Sequence, residues 1–138
     1  KGLKPGRYHC LCFSSNSNCW GPRIWQTRIV HEDETPKKLY RNSAHNTWEA
    51  IGEIGVDAGM AGFFADKPDF NDDEWYQFCN HKPAFKQSGC AEAHIESYNG
   101  SEPNSFWTSS GIGDGGYTVY AKKNRAGEIV ALCLDFRC

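Results

Sequence analysis

GGYTVYAKKNRAGEIVALCLDF, residues Gly115 to Phe136, is the stretch that decides the fold class. Its two arms, GGYTVYAK and EIVALCLDF, are dense in β-branched and aromatic side chains, which suit a pleated surface better than a helix. The KNRAGE connection between them carries Gly127 at a turn position. Two such runs joined by a short polar loop with a glycine read as a β-hairpin. This hairpin is expected to be central to the sheet that holds it.

Immediately upstream, GIGDGG contains G-x-G-x-x-G at Gly111, Gly113 and Gly116. A dinucleotide fingerprint needs those glycines to follow a strand and open a helix, whose N-terminus holds the pyrophosphate. Here they open a strand, and no Gly-Lys-Ser/Thr follows to make a phosphate loop. The stretch is therefore read as a tight turn in which several residues take positive φ. Asp114, between glycines, is of the type that caps its own turn amides. The same glycines also leave room for a ligand to approach the backbone.

Working outward, GRYHCLCF (Gly6 to Phe13) alternates Tyr8, Cys10 and Cys12 with His9, Leu11 and Phe13, and reads as a strand. SSNSN (Ser14 to Asn18) reads as a polar loop and RIWQTRIV (Arg23 to Val30) as a second strand. HEDETPKK (His31 to Lys38) reads as a charged, solvated hairpin end. TWEAIGEIGVDAGMAGFF (Thr47 to Phe64) is apolar but holds Gly52, Gly55, Gly59 and Gly62. Each would cost a helix ~1 kcal/mol relative to Ala, so strand, turn, strand is expected. NDDEWYQFCNH (Asn71 to His81) is the one clear helix. It has an Asn or Asp cap, acids in its first turn, and Trp75, Phe78 and Cys79 on one face, and Pro83 stops it. Lys82 to Asn104 carries no strong signal.

Length and composition fit these elements. The chain has 138 residues, a usual size for one core, and a single domain over 1–138 is expected. With five Trp, eight Phe and six Tyr it can fill that core largely with rings. A net charge of −2 gives no long-range pull toward nucleic acid or an anionic membrane. No apolar run approaches the ~20 residues that span a bilayer, and no leader-like apolar segment is visible. Seven cysteines are many and odd in number. Cys10 and Cys12 share a strand face and cannot easily bridge each other, and Cys133 sits in an apolar run. These placements favour reduced cysteines and a cytoplasmic setting over a secreted one. Cys12 with Cys19, or Cys138 with an N-terminal cysteine, are the bridges left open.

GVDAGMAGFF (Gly55 to Phe64), DEWYQFC (Asp73 to Cys79) and SSGIGDGGYTVYAKKNRAGEIVALCLDF (Ser109 to Phe136) resemble a bacterial family known only as a domain of unknown function, family 4241. The likeness covers mostly residues 54 to 79 and 109 to 136. It implies no established activity. It does imply a β-rich domain in which Asp57, Asp114 and Asp135 belong to one shared pattern.

Three constellations are candidates for chemistry. Asp57, Asp114 and Asp135, each near a strand end, could meet at one rim. There they would bind Ca²⁺ or Mg²⁺ through oxygen ligands or act as an acid/base pair. The plainer account is that each caps a turn. Cys79, His81, Cys90 and His94 offer four zinc-type ligands, though at no familiar finger spacing, and Cys79 lies on the apolar helix face. Nothing local marks an activated thiolate. Among the aromatics, Trp107 lies between polar residues and is expected to be the most exposed ring. No G-x-S-x-G elbow or HExxH pair is present.

These observations give a mainly β (α+β) fold: a bent antiparallel sheet or β-sandwich with one prominent helix near 71–81. The leading function is a non-enzymatic binding or interaction module. Its rim would be formed by the VDAG and GIGDGG turns, with Asp57, Gly59, Trp107, Gly113, Asp114, Gly115, Tyr117 and Asp135 as candidate residues. The alternatives are a hydrolase or metal-dependent enzyme using Asp57 and Asp114, and a zinc-stabilised structural domain using Cys79, His81, Cys90 and His94. No cofactor is expected under the leading reading, and the partner would be a protein or small molecule, not nucleic acid or membrane.

Overall fold

A computed structural model describes residues 2–17, 21–34, 48–57, 59–65, 71–93, 104–111 and 113–137. In order, the elements are β1 (Tyr8–Ser17), β2 (Gly21–His31), β3 (Glu49–Val56), β4 (Met60–Phe64), α1 (Asp72–Asn80), α2 (Pro83–Ser88), β5 (Cys90–Ala93), β6 (Ser105–Ser109), β7 (Gly115–Lys123) and β8 (Ile129–Asp135). The strands form a five-stranded sheet, order β1-β2-β8-β7-β3, and a three-stranded sheet, order β4-β6-β5. All these pairings are antiparallel. The fold is thus mainly β, as expected, and the final hairpin takes an inner place: β8 is the middle strand of the large sheet.

The two sheets pack face to face. Ile24, Val56, Tyr117, Leu134 and Phe136 of the large-sheet side meet Ala61 and Phe63 of β4. A polar contact crosses this apolar layer: Thr27 Oγ1 lies 2.6 Å from Thr108 Oγ1, both residues fully buried. The outer face of the small sheet is covered by α1. Trp107, Met60 and Ala91 pack there with Cys79, Trp75, Phe78, Phe64 and Phe85. The rings of Trp75 and Phe78 lie 6.2 and 5.3 Å from that of Trp107. On the far face of the large sheet, Val30, Ala131 and Cys133 pack under Trp48, with Leu11 and Tyr120.

Asn71 caps α1. Its side chain accepts the Glu74 N–H at 2.9 Å, and the Glu74 carboxylate accepts the Asn71 N–H at 3.2 Å. This reciprocal box satisfies two N–H groups that the helix itself cannot. Pro83 opens the second, shorter helix, which the sequence did not announce, and Gly89 ends it in the left-handed region at φ 73.

Three expectations need correction. SSNSN is not a loop as far as it is described: β1 continues through Ser17, which pairs with Gly21. Backbone pairing with β2 overrides the turn preference of Ser and Asn there. The alternation read across Arg23 to Val30 is broken at Trp25. Phe13 opposes Gln26 but Ser14 opposes Ile24, so Trp25 is an extra residue in β2. This bulge turns Ile24 to the core between the sheets and Gln26 to the opposite face. His31 does not sit in a solvated turn but is buried at the end of β2, its Nε2 2.8 Å from the Pro5 carbonyl. Residues 35–38 of that expected turn lie outside the described residues, as do Cys19 and Cys138 of the two bridges left open.

Candidate functional site

The VDAG stretch is where the chain changes sheets. β3 leaves the large sheet at Val56 and β4 enters the small one at Met60. Gly59 takes φ 66, a conformation open to glycine at little cost. The GIGDGG stretch makes the reverse change, from β6 to β7, with Gly111, Gly113 and Gly115 at φ 59, 123 and 154. Side chains brace it from within. Ser110 Oγ donates to the Gly113 carbonyl at 2.9 Å and Tyr117 OH donates to the same oxygen at 2.6 Å.

The two turns are tied to each other through Gly59. Its carbonyl accepts the Ser110 N–H at 3.0 Å, and its N–H donates to Asp114 Oδ1 at 2.9 Å. The two glycine motifs of the sequence therefore form one rim at one end of the sandwich. The chain belongs to the family described as protein of unknown function (DUF4241). The family model matches residues 1–134, so the likeness extends beyond the glycine motifs to the N-terminal strands. No curated protein and no solved structure matches the chain.

In this DUF4241 chain the expected rim residues divide. Gly59, Gly113, Asp114, Gly115 and Tyr117 are together, with Asp57 exposed in the adjoining turn. Asp114 does cap a backbone amide, but one in the other turn rather than its own. Trp107 is not exposed. It is fully buried, because β6 is the middle strand of the small sheet and presents this ring to α1. Its indole N–H finds no acceptor among the described residues.

Asp135 does not join the rim either. It opposes Thr118, roughly 10 Å along β7 from Gly115 at ~3.3 Å per residue. Its carboxylate accepts from Gln26 Nε2 at 3.2 Å and from Arg137 Nε and NH2 at 2.9 and 2.6 Å. Gln26 Oε1 in turn accepts from the Arg28 guanidinium at 2.6 Å, which lies between the rings of Phe13 and Trp48. Burial pushes the Asp135 carboxyl up. The bonds and charge of Arg137 and the bond from Gln26 outweigh that and hold it below the usual Asp range. This chain of buried polar groups on the far face of the large sheet was not foreseen. The hint in the sequence is Gln26 and Arg28 at alternate positions of one strand, with Asp135 and Arg137 at the end of another.

The four zinc-type ligands are not seen as a set. Cys79 is fully buried among Trp107, Met60 and Ala91, and burial pushes its thiol up to about 12. The ring of exposed His81 lies 2.7 Å from Gln77 Oε1. Cys90 faces the other way, into the layer between the sheets, with its Sγ 3.6 Å from Cys12 Sγ. His94 lies outside the described residues. Among those described, no three His, Cys, Asp or Glu side chains are grouped to hold a metal ion.

One further feature adjoins the rim. A groove of about 320 Å³ is lined by Ile54–Val56 of β3, Met60–Gly62 and Phe64 of β4, and Trp75 of α1. β3 and β4 are edge strands of their sheets among the described residues, and the VDAG turn joins them. The sequence held a clue in the apolar, glycine-broken run of Thr47 to Phe64. What it could not show is that the two arms enter different sheets. Among the described residues no helix is long and apolar enough to cross a membrane.

Proposed function

We propose that the chain is a non-enzymatic binding module of bacterial origin, and that its recognition surface is the rim of the VDAG and GIGDGG turns with the apolar groove beside it. The observation that carries this reading is the groove itself. It is apolar, of ligand-binding size, and flanked by two sheet edges whose outward N–H and C=O groups can pair with an added strand. The occupant that such a surface favours is an extended apolar peptide segment of a protein partner. Main-chain bonds to β3 or β4 would hold it, and alternate side chains would enter the groove. The glycines at the rim let a partner's backbone come close.

The enzymatic alternative has less support. Asp114 is engaged in holding Gly59, and Asp57 has no hydrogen-bond partner among the described residues to orient it for acid/base work. Amide spectra of the isotope-labelled chain, titrated with blocked tetrapeptides rich in Val, Leu and Phe, test the proposal. Saturable shifts should concentrate at residues 54–56 and 60–62. Shifts absent at millimolar peptide, or scattered evenly over the surface, would refute it.

A further inference from the structure

The flank of the sandwich opposite the groove is formed by β1 and β5, the other edge strands of the two sheets. There Cys12 Sγ lies 3.6 Å from Cys90 Sγ, although the two residues are 78 apart in the chain. Cys12 is exposed and Cys90 half-buried. Ser88 Oγ lies 3.4 Å from Cys90 Sγ.

The apposition is set from below. Cys12 opposes Thr27 in the large sheet, and Cys90 opposes Thr108 in the small one. Thr27 and Thr108 are the two residues whose hydroxyls meet at 2.6 Å in the layer between the sheets. The four residues form one rung across the sandwich, thiol to thiol at its open end. Burial, together with the hydrogen bond and charge of Cys90, pushes the Cys12 thiol up to about 11, so reduced Cys12 is protonated at neutral pH.

We propose that Cys12 and Cys90 are a redox pair that closes to an inter-sheet disulfide on meeting a small-molecule disulfide. The exposed Cys12, as thiolate, attacks one sulfur of the reagent, which leaves as one thiolate and forms a mixed disulfide. Cys90 then loses its proton to solvent and attacks Cys12 Sγ, releasing the second thiolate. The two protein thiols are oxidised by two electrons, and the reagent is reduced to two thiols. The sulfurs close from 3.6 Å to ~2.05 Å, a movement of about 1.5 Å that two side chains can share. Because the bridge closes a long loop of chain, it restricts the unfolded state strongly and should raise Tm by roughly 10 °C.

The test uses the whole chain, incubated with glutathione disulfide at pH 8 and digested without reductant for mass spectrometry. The expected product is a peptide joined at Cys12 and Cys90, two hydrogens lighter than its parts. The oxidised protein should melt higher than the reduced one, and dithiothreitol should reverse the rise. Cys12→Ser and Cys90→Ser should each lose both effects, and Cys10→Ser should keep both. Reduced-state melting of each variant shows that it still folds. Glutathione adducts without a bridge, a bridge from Cys12 to Cys10 or Cys19, or a lower Tm on bridging would each overturn the proposal.

Discussion

Asp135 shows how much one buried carboxylate can organise. It accepts from β2 through Gln26 and from its own chain end through Arg137, and so joins the middle of the large sheet to the C-terminal residues. Its folded carboxyl titrates below the ordinary value of 3.8. The stability it contributes is therefore complete above that value and is lost as pH falls through it toward the folded one. Asp135→Asn should cost about 1–2 kcal/mol at pH 7, a modest figure because Arg137 is partly solvated. Urea unfolding at pH 7 and at successively lower pH should show the gap between variant and parent narrowing as the pH falls below 3.8. Asp114 acts at the surface. Asp114→Ala leaves the Gly59 N–H without its acceptor, and hydrogen exchange at that amide should quicken about five-fold, equivalent to ~1 kcal/mol of local opening. Asp114→Asn keeps an acceptor and should restore most of the protection. That Asp114 caps an amide was legible from its glycine flanks. That the amide belongs to Gly59 was not, because contact between turns so distant in sequence has no local signature. Trp107 misled for a related reason. Its polar neighbours suggested exposure, yet Ser105 and Thr108 are themselves buried beside it.

Elements were most legible where local chemistry alone determines them. An Asn or Asp cap and first-turn acids before an apolar stripe specified the start and the buried face of α1, and the structure adds that Asn71 is the cap and that Glu74 closes a reciprocal box with it. Asn71→Ala should remove the box and cost about 1 kcal/mol, measured by thermal melting followed by circular dichroism. The final hairpin was equally plain, since both arms and the turn carry concordant preferences. Elements were misread where pairing, not propensity, decides. Ser14 to Ser17 are poor strand formers held by the ladder to β2. The extra residue at Trp25 reverses which face Gln26 presents, and a strict alternation cannot reveal a bulge. α2 is a turn and a half of helix set by Pro83 at its start and Gly89 at its end. A segment this short gives little periodicity to detect.

At the scale of the molecule, a β-sandwich with a helix was legible from composition, glycine content and strand density. The division of strands between the sheets was not. Adjacent strands β3 and β4 would ordinarily pair as neighbours, but here the turn between them carries the chain across the core. The groove follows from that one crossing. The hydroxyls of Thr27 and Thr108 also make a polar rung in the layer between the sheets. Thr108→Val should cost about 1–2 kcal/mol, since it leaves the buried Thr27 hydroxyl short of a partner, and Thr27→Val about 1 kcal/mol, since Thr108 still donates to the Ser109 carbonyl at 3.0 Å. The double variant should lose less than the sum, with a coupling of ~1 kcal/mol in a double-mutant cycle followed by denaturant unfolding. Apolar faces attract without direction, so two sheets held by methyls and rings alone have several alignments of nearly equal energy, offset by one pleat. Two hydroxyls that can meet at only one offset remove that degeneracy. Their deeper consequence is one of uniqueness: they select a single alignment, and with it where every loop at the rim comes to stand.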